Sequence, residues 1–431
     1  MKLLFIENRY KTYFYEPITK ELEKKGHQIF WIVQNHNFKV NIGKSTLIPY
    51  PKKDNTSVDM VFFKDIIKSD RQINFFKKKD TSYIPYYYAQ IKKCIEDIQP
   101  DVVFGESTAF HELLTIKICR EKEIPYLNPS TSRYPTGRFS FYKYDTLEPY
   151  GGSNENLPKE EVLAIIDSIT NRKVKPDYMF VKKKSTNHKI KDKLKLIRSY
   201  YRGEKYNTPS PVIKYKKDKE VQQSIPKWNQ ISTTEIDTTK FTILYPMQMQ
   251  PEANLDVWGR KYRDQLETLK QIYQQLQEGE LLYVKLNPKC KYELSIDLID
   301  FVKNNKNVIA LHLDTKMEAI FNSFDMVITV TGTIAIECIL TNKPVVTLIK
   351  TLNNTNKNCK FISDTKALLP ILQEVKNNTF PKINLEEKVN YINLLTKTSF
   401  CGIINDPLND GNCVGIENIN TILDAFISVI N

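Results

Sequence analysis

A chain of 431 residues is too long for a single compact core and suits two domains. Hydrophobic residues at 41% and aromatic residues at 11% supply the material for those cores, which excludes general disorder. The net charge of +13 is localised, because residues 181–220 hold 14 Lys/Arg against 4 Asp/Glu. Such a stretch suits nucleic acid, anionic lipid or a polyanionic substrate, or is simply a solvated insertion. Cys94, Cys119, Cys290, Cys338, Cys359, Cys401 and Cys413 include no C-x-x-C pair. Several lie in apolar runs, so reduced thiols fit better than a disulfide framework or a zinc site. No run approaches the ~20 apolar residues of a membrane span, and the opening Met1 to Glu7 meets charge too early for a secretory signal. The expectation is a cytoplasmic protein.

Lys2 to Ile6 reads as a buried strand, and Glu16 to Lys25, closed by Gly26, as a helix. Gln28 to Gln34 is the next strand, and this βαβ succession requires a parallel sheet. The loop Glu7-Asn8-Arg9 leaves the carboxyl end of the first strand, where open α/β sheets place ligands. Residues 35–81 are irregular, and Tyr83 to Gln99 reads as a helix broken by Pro100. Asp101 to Gly105 is a buried strand that runs through Glu106-Ser107-Thr108 into a helix, Ala109 to Lys122. Glu106 then sits beside a helix N-terminus, whose dipole is expected to hold it ionised as a base or nucleophile. The plainer reading makes it a helix cap. His111, two residues inside the helix, is a candidate neighbour or an ordinary core histidine. Ile124 to Leu127 is a strand that opens into a polar loop, Asn128 to Arg138. Its Arg133 and Arg138 suit bidentate contact with a carboxylate or phosphate.

Asn154 to Asn171 reads as a helix with an acidic start, and the basic stretch follows. Tyr200-Tyr201 and Lys214-Tyr215 interleave rings with cations, as single-strand nucleic-acid binders and membrane-surface helices both do. Three domains' worth of boundaries result: an N-terminal unit 1–236 with a basic insertion at about 181–236, a C-terminal unit 237–400, and a helical tail 401–431 expected to pack back across the domains.

Strand and helix alternate again through the second half: Phe241 to Tyr245, Arg260 to Gln277, Leu281 to Leu286, Asp297 to Asn304, Val308 to Leu311 and Met317 to Ser323. Then comes Asp325 to Leu348: a buried strand Met326 to Val330, the turn Thr331-Gly332-Thr333, a short helix to Thr341, and the strand Val345 to Leu348. A turn of small residues at a helix start directs backbone N–H groups outward, a seat for phosphate. Glu337 lies one helical turn deeper on the same face, where it could hold sugar hydroxyls. An ordinary Thr-capped strand–helix–strand unit remains the alternative. Helices are expected near Thr365 to Val375, Leu385 to Leu395 and Ile416 to Ile430.

Two Rossmann-like halves of this kind resemble the GT-B glycosyltransferase plan, α/β with two doubly wound domains facing across a cleft. Three pieces narrow the resemblance: Tyr245-Pro246 with Gln250-Pro251-Glu252-Ala253, then Tyr283-Val284-Lys285-Leu286-Asn287-Pro288, then Thr329 to Glu337 with Asn342-Lys343-Pro344. Together they resemble the capsule polysaccharide biosynthesis family, which includes bacterial transferases of Kdo from CMP-Kdo. Asn287-Pro288 stands where that family carries His-Pro, and Asn cannot carry the histidine's charge. Lys285 or Lys289 is the candidate replacement cation.

The resemblance implies donor binding by Gln250, Glu252, Lys285, Asn287, Thr331, Gly332, Thr333 and Glu337. Glu106, with His111, is the implied catalytic group on the acceptor side, and Arg133 and Arg138 would meet a sugar carboxylate or the acceptor. No cofactor and no metal are expected, since the sequence offers no Asp-x-Asp and backbone N–H groups, hydroxyls and Lys/Arg can neutralise a leaving phosphate. The implied partners are a nucleotide-sugar donor, CMP-linked, a glycan or lipid-linked acceptor, and an anionic membrane surface met through Lys182 to Lys219, with no nucleic acid. The resulting expectation is a metal-independent glycosyltransferase of surface polysaccharide synthesis at the inner face of the membrane. A UDP-sugar transferase or UDP-sugar 2-epimerase is the alternative within enzymes, and a nucleic-acid-binding protein using the basic segment is the alternative outside them.

Overall fold

The strand order of both sheets reverses beside their first strand, and this decides where each can hold a ligand. A computed structural model describes residues 1–51, 60–174, 186–408 and 410–430. The chain divides into two units, the first comprising residues 1–157, 175–213 and 393–431, the second 158–174 and 214–392. Both are Rossmann-like and doubly wound. The division differs from the one read from sequence: 158–174 belongs with the second unit, and the C-terminal segment from Asn393 returns to the first. Part of the basic insertion, 181–185, lies outside the described residues.

In the first unit β1 (Lys2–Ile6), β2 (Gln28–Val33) and β3 (Lys44–Leu47) run parallel outward on one side. β4 (Val102–Phe104) and β5 (Tyr126–Thr131) continue in parallel on the other side of β1. β6 (Arg138–Lys143) then turns back antiparallel to β5. The sequence reading took Asn128 to Arg138 for a loop; most of it is the end of β5 and the hairpin turn into β6. Leu3, Phe5, Trp31 and Phe104 face a core shared with the helices Thr12–Lys24 and Ile416–Ile430, through Phe14, Ile18, Ile422 and Phe426. The alternate residues Leu4, Ile6, Ile32 and Val103 are equally buried, so the sheet is covered on both faces. Tyr83 and Tyr87 of the helix Tyr83–Ile98 pack 5.0 and 5.1 Å from Phe110 of the helix Phe110–Glu121.

The second unit repeats the plan. β7 (Phe241–Pro246), β8 (Glu280–Lys285) and β9 (Val308–Ala310) run parallel to one side, and β10 (Met326–Thr329), β11 (Val345–Thr347) and β12 (Cys359–Phe361) to the other. Trp228, on the helix Pro211–Ile231, is buried in this core and donates its indole N–H to Leu311 O at 2.9 Å. That helix and Thr186–Tyr201 are the two long helices the basic, polar sequence concealed.

β13 (Phe400–Cys401) closes the first unit's sheet against β6. Arg138 makes this closure and is thereby removed from ligand binding. It is buried, its Nε donates to Ser399 Oγ at 2.9 Å, and its Nη2 donates to Ser153 Oγ and to the carbonyls of Thr396 and Ser399. Nη1 pairs with Glu155 at 2.8 Å. The expectation that Arg138 meets a substrate carboxylate is therefore corrected: its donors are taken by the C-terminal return. Arg138→Met should lower stability by roughly 2–4 kcal/mol through orphaned buried acceptors. Denaturant melts check this, with nucleotide affinity of the folded variant expected to stay unchanged.

Candidate functional site

Each unit places its candidate residues where neighbouring parallel strands send their chains apart, the crevice at which open α/β sheets bind ligands. In the first unit this is the carboxyl end of β1 beside β4. Glu7, next after β1, is buried, and its Oε2 accepts the backbone N–H groups of Gln34 and Asn35 at 3.1 and 3.0 Å. Its Oε1 accepts Arg9 N at 2.6 Å, which helps hold Arg9 at φ +45°, a conformation costly for a side-chain-bearing residue. The Arg9 guanidinium reaches Glu204 at 2.8 Å and also bonds Thr208.

Glu106 follows β4, as the sequence indicated, but its electrostatics differ from the expectation. The seat at the start of the helix Phe110–Glu121 belongs to Glu112, which is fully buried. Its Oε2 accepts the N–H groups of Thr108 and Ala109 at 3.0 and 2.8 Å, and its Oε1 accepts Glu106 N and Asn8 Nδ2. Glu106 receives none of that stabilisation. Burial raises its carboxyl above the ordinary 4.5; Lys11 draws it back and the Glu112 charge raises it further. The Lys11 ammonium stands 3.4 Å from Glu106 Oε1, and Asn8 Nδ2 donates to Oε2 at 3.3 Å. Tyr126 Oη holds the Glu106 carbonyl at 2.6 Å. That approach requires Gly105, since a Cβ there would lie 2.3 Å from the same hydroxyl.

Glu106, Asn8 and Lys11 open on a cavity of about 380 Å³ completed by Ser130, Thr131, Asn405 and Asp406. A smaller cavity of about 140 Å³ adjoins Asn8 and Arg9 and is lined by Arg71, His111 and Asn207. His111 is buried, with Nε2 at 2.7 Å from Glu7 O and Nδ1 at 3.1 Å from Asn207 Nδ2, so both ring nitrogens are engaged by a backbone carbonyl and a side-chain amide. Arg133 is half-buried on the β5–β6 turn, close enough to Tyr142 to act on its hydroxyl electrostatically, and does not line either cavity.

In the second unit the corresponding point lies between the ends of β7 and β10. Here Thr331, Gly332 and Thr333 make the turn into the helix Ile334–Thr341. A Cβ on Gly332 would come 2.7 Å from Thr329 Oγ1, which itself accepts Gly332 N at 3.2 Å. The seat is already filled by a side chain the sequence reading passed over. Gln248, just beyond β7, lies 3.1 Å from Thr331 Oγ1. With its amide oxygen turned to the donors, it accepts Thr331 N at 3.2 Å and Gly332 N at 3.0 Å. Gln265 fixes the Gln248 backbone on both sides, at 2.8 Å each.

Glu337 lies on the same helix, and Arg172 pairs with it while its guanidinium stacks 4.3 Å from the Phe321 ring. Four of the expected donor ligands bond to other groups of the unit. Gln250 is buried in a network with Asp256, Arg263 O and Gln265. Lys285 is buried and donates to Leu286 O and Leu313 O at 3.1 and 2.9 Å, and burial lowers its pKa. It props two loops from inside. Asn287 accepts Lys289 N at 2.9 Å and shapes its own turn, while Glu252 accepts Asn254 Nδ2 at 3.3 Å.

No protein-family model and no curated protein sequence matches the chain significantly. Solved structures similar to it include UDP-GlcNAc 2-epimerase from Methanocaldococcus jannaschii, at 14% identity and TM-score 0.29 over 92% of this chain and 99% of that one. UDP-GlcNAc 2-epimerase from Neisseria meningitidis bound to UDP-GlcNAc aligns at 13% identity and TM-score 0.30 over 99% and 100% of the chains. MurG from Acinetobacter baumannii aligns at 10% identity and TM-score 0.28 over 99% of each.

Gln248→Glu places a carboxylate where the amide oxygen now accepts two N–H groups at a helix start. The variant should gain about 0.3–1 kcal/mol of stability and lose nucleotide affinity at least about tenfold, because the fixed anion competes with phosphate. Thermal melts and calorimetric titration with nucleoside diphosphates check the two signs together.

Proposed function

We propose that the protein is a glycosyltransferase that works on a nucleotide-activated sugar, with the two-domain GT-B plan. One observation carries the reading: a carboxyl group raised by burial, Glu106, opens on a polar cavity of about 380 Å³ at the switch point of its sheet. That volume falls within the range of small-molecule sites. Its hydroxyl and amide lining suits a sugar acceptor.

In the proposed reaction the Glu106 carboxylate takes the proton of an acceptor hydroxyl as its oxygen attacks the anomeric carbon. The bond to the nucleotide phosphate breaks, and the leaving phosphate takes the electron pair. Within the second unit, the turn Thr331-Gly332-Thr333 would offer N–H groups and hydroxyls to a nucleotide phosphate once Gln248 moves aside. A carboxyl titrating closer to neutrality is a better base than an ordinary one, and Lys11 at 3.4 Å keeps its ionised form accessible.

The finer reading, transfer of Kdo or a related acid from a CMP donor in capsule synthesis, rests on the motif resemblance. It loses the support of Arg138, which is spent inside the fold. UDP and UDP-sugars are therefore tested beside CMP and CMP-sugars. A second reading, 2-epimerisation of a UDP-sugar, draws on the same raised Glu106, which could remove a carbon-bound proton. Solvent deuterium at sugar C2 would mark epimerisation, whereas acceptor-dependent release of nucleotide would mark transfer.

Glu106→Gln should lower turnover by about 10²–10⁴-fold and leave nucleotide affinity intact. Because the wild-type base works ionised, its rate should rise with pH through a midpoint above 4.5, and the variant should lack that limb. Near-normal turnover in the variant would remove Glu106 from the chemistry.

A further inference from the structure

The helix Thr186–Tyr201 of the first unit carries an apolar face that is exposed among the described residues. Ile190, Leu194, Ile197 and Tyr201 are 51%, 60%, 39% and 69% exposed. Their spacing of four, three and four residues lines them along one narrow stripe. The opposite side of the helix packs inward through Ser199, which is buried, and half-buried Leu196 and Tyr200. Exposed Lys193, Arg198 and Arg202 lie outside the stripe. The sequence of residues 186–202 holds six basic residues and one acid, Asp192.

An apolar stripe bordered by cations is the pattern of a helix that lies in the plane of a bilayer surface, its apolar side among acyl chains and its cations at anionic headgroups. We propose that this helix docks the protein on an anionic phospholipid membrane. Charge selects this occupant over the others. A second copy of the helix would bring like charges together, and a nucleic acid would satisfy the cations while leaving four large apolar side chains in water. No helix among the described residues is long and apolar enough to cross a membrane, so the contact is one of surface binding.

The segment after the helix ties it to the candidate site. Glu204 and Thr208, both buried, hold the Arg9 guanidinium, and Asn207 meets His111. A bilayer bound here would thus sit on a helix whose following segment is bonded to the loop after β1. Docking of this kind does not depend on glycosyl transfer, because it uses only the exposed stripe and its flanking cations.

Co-sedimentation of the full chain with phosphatidylcholine vesicles, with and without phosphatidylglycerol, tests it. Binding should require the anionic lipid and weaken with salt. Leu194→Ser combined with Ile197→Ser should reduce vesicle binding at least about tenfold with the melting temperature and nucleotide affinity unchanged, since both side chains are exposed. Replacing Lys193, Arg198 and Arg202 by Gln should abolish the preference for anionic lipid. The proposal is overturned if the wild type ignores both vesicles, if the serine pair binds as well as wild type, or if the serine pair disrupts a dimer or an RNA complex instead.

Discussion

A parallel sheet whose strand order reverses must send two adjacent chains in opposite directions from their carboxyl ends. The gap this leaves is a consequence of connectivity, and both units have it, between β1 and β4 and between β7 and β10. Backbone N–H groups at these ends have no ladder partners, so each gap must be filled by side chains, water or ligand. The account of this protein depends on what fills them.

The two units answer differently. In the first, Glu112 satisfies the helix start permanently from a fully buried position, which leaves Glu106 free of that duty and pushed up by burial. In the second, the occupant is neutral: Gln248 meets the turn with an amide oxygen. An amide gains less from two N–H groups and a helix dipole than an anion does, so a phosphate is the stronger competitor for the place. A buried carboxylate therefore suits a fixed structural role, and an amide is the more readily displaced of the two. The pairing of Glu337 with Arg172 fits the same logic, since the chain segment 158–174 brings a cation to the acid that the second unit's helix presents.

Much of the fold was legible because buried strands are apolar runs: β1, β7, β8 and β10 stand where the sequence put them, to within a residue or two. β3 was not legible, because three of its four residues are exposed at a sheet edge and its sequence, Lys-Ser-Thr-Leu, carries no apolar signal. β6 was hidden by the prolines and polar residues of its hairpin, and that concealed the fate of Arg138. The partner of a buried arginine is set by a segment far along the chain, and periodicity cannot report it. The return of residues 158–174 to the second unit was invisible for the same reason. At the site, the position of Glu106 followed from a strand end, but its environment did not. That depends on Lys11 arriving from another loop and on Glu112 winning the helix start. Glu112, third in the helix Phe110–Glu121 and fourth in the span Ala109 to Lys122 expected from sequence, was a readable sign of the latter. Gln248 gave a weaker sign, lying among glutamines of which Gln250 and Gln265 serve the interior.

The proposed transfer needs a nucleotide phosphate on the turn Thr331-Gly332-Thr333 as well as a base at Glu106. Calorimetric titration of UDP and CMP into wild type and Gly332→Ala tests it most directly, because the added Cβ would crowd Thr329 Oγ1 and the mouth of the seat. Whichever nucleotide binds wild type should lose at least about tenfold in affinity, or 1.4 kcal/mol, in a variant that still melts cooperatively. Equal affinity in the two proteins would contradict it and move the nucleotide to another place on the chain.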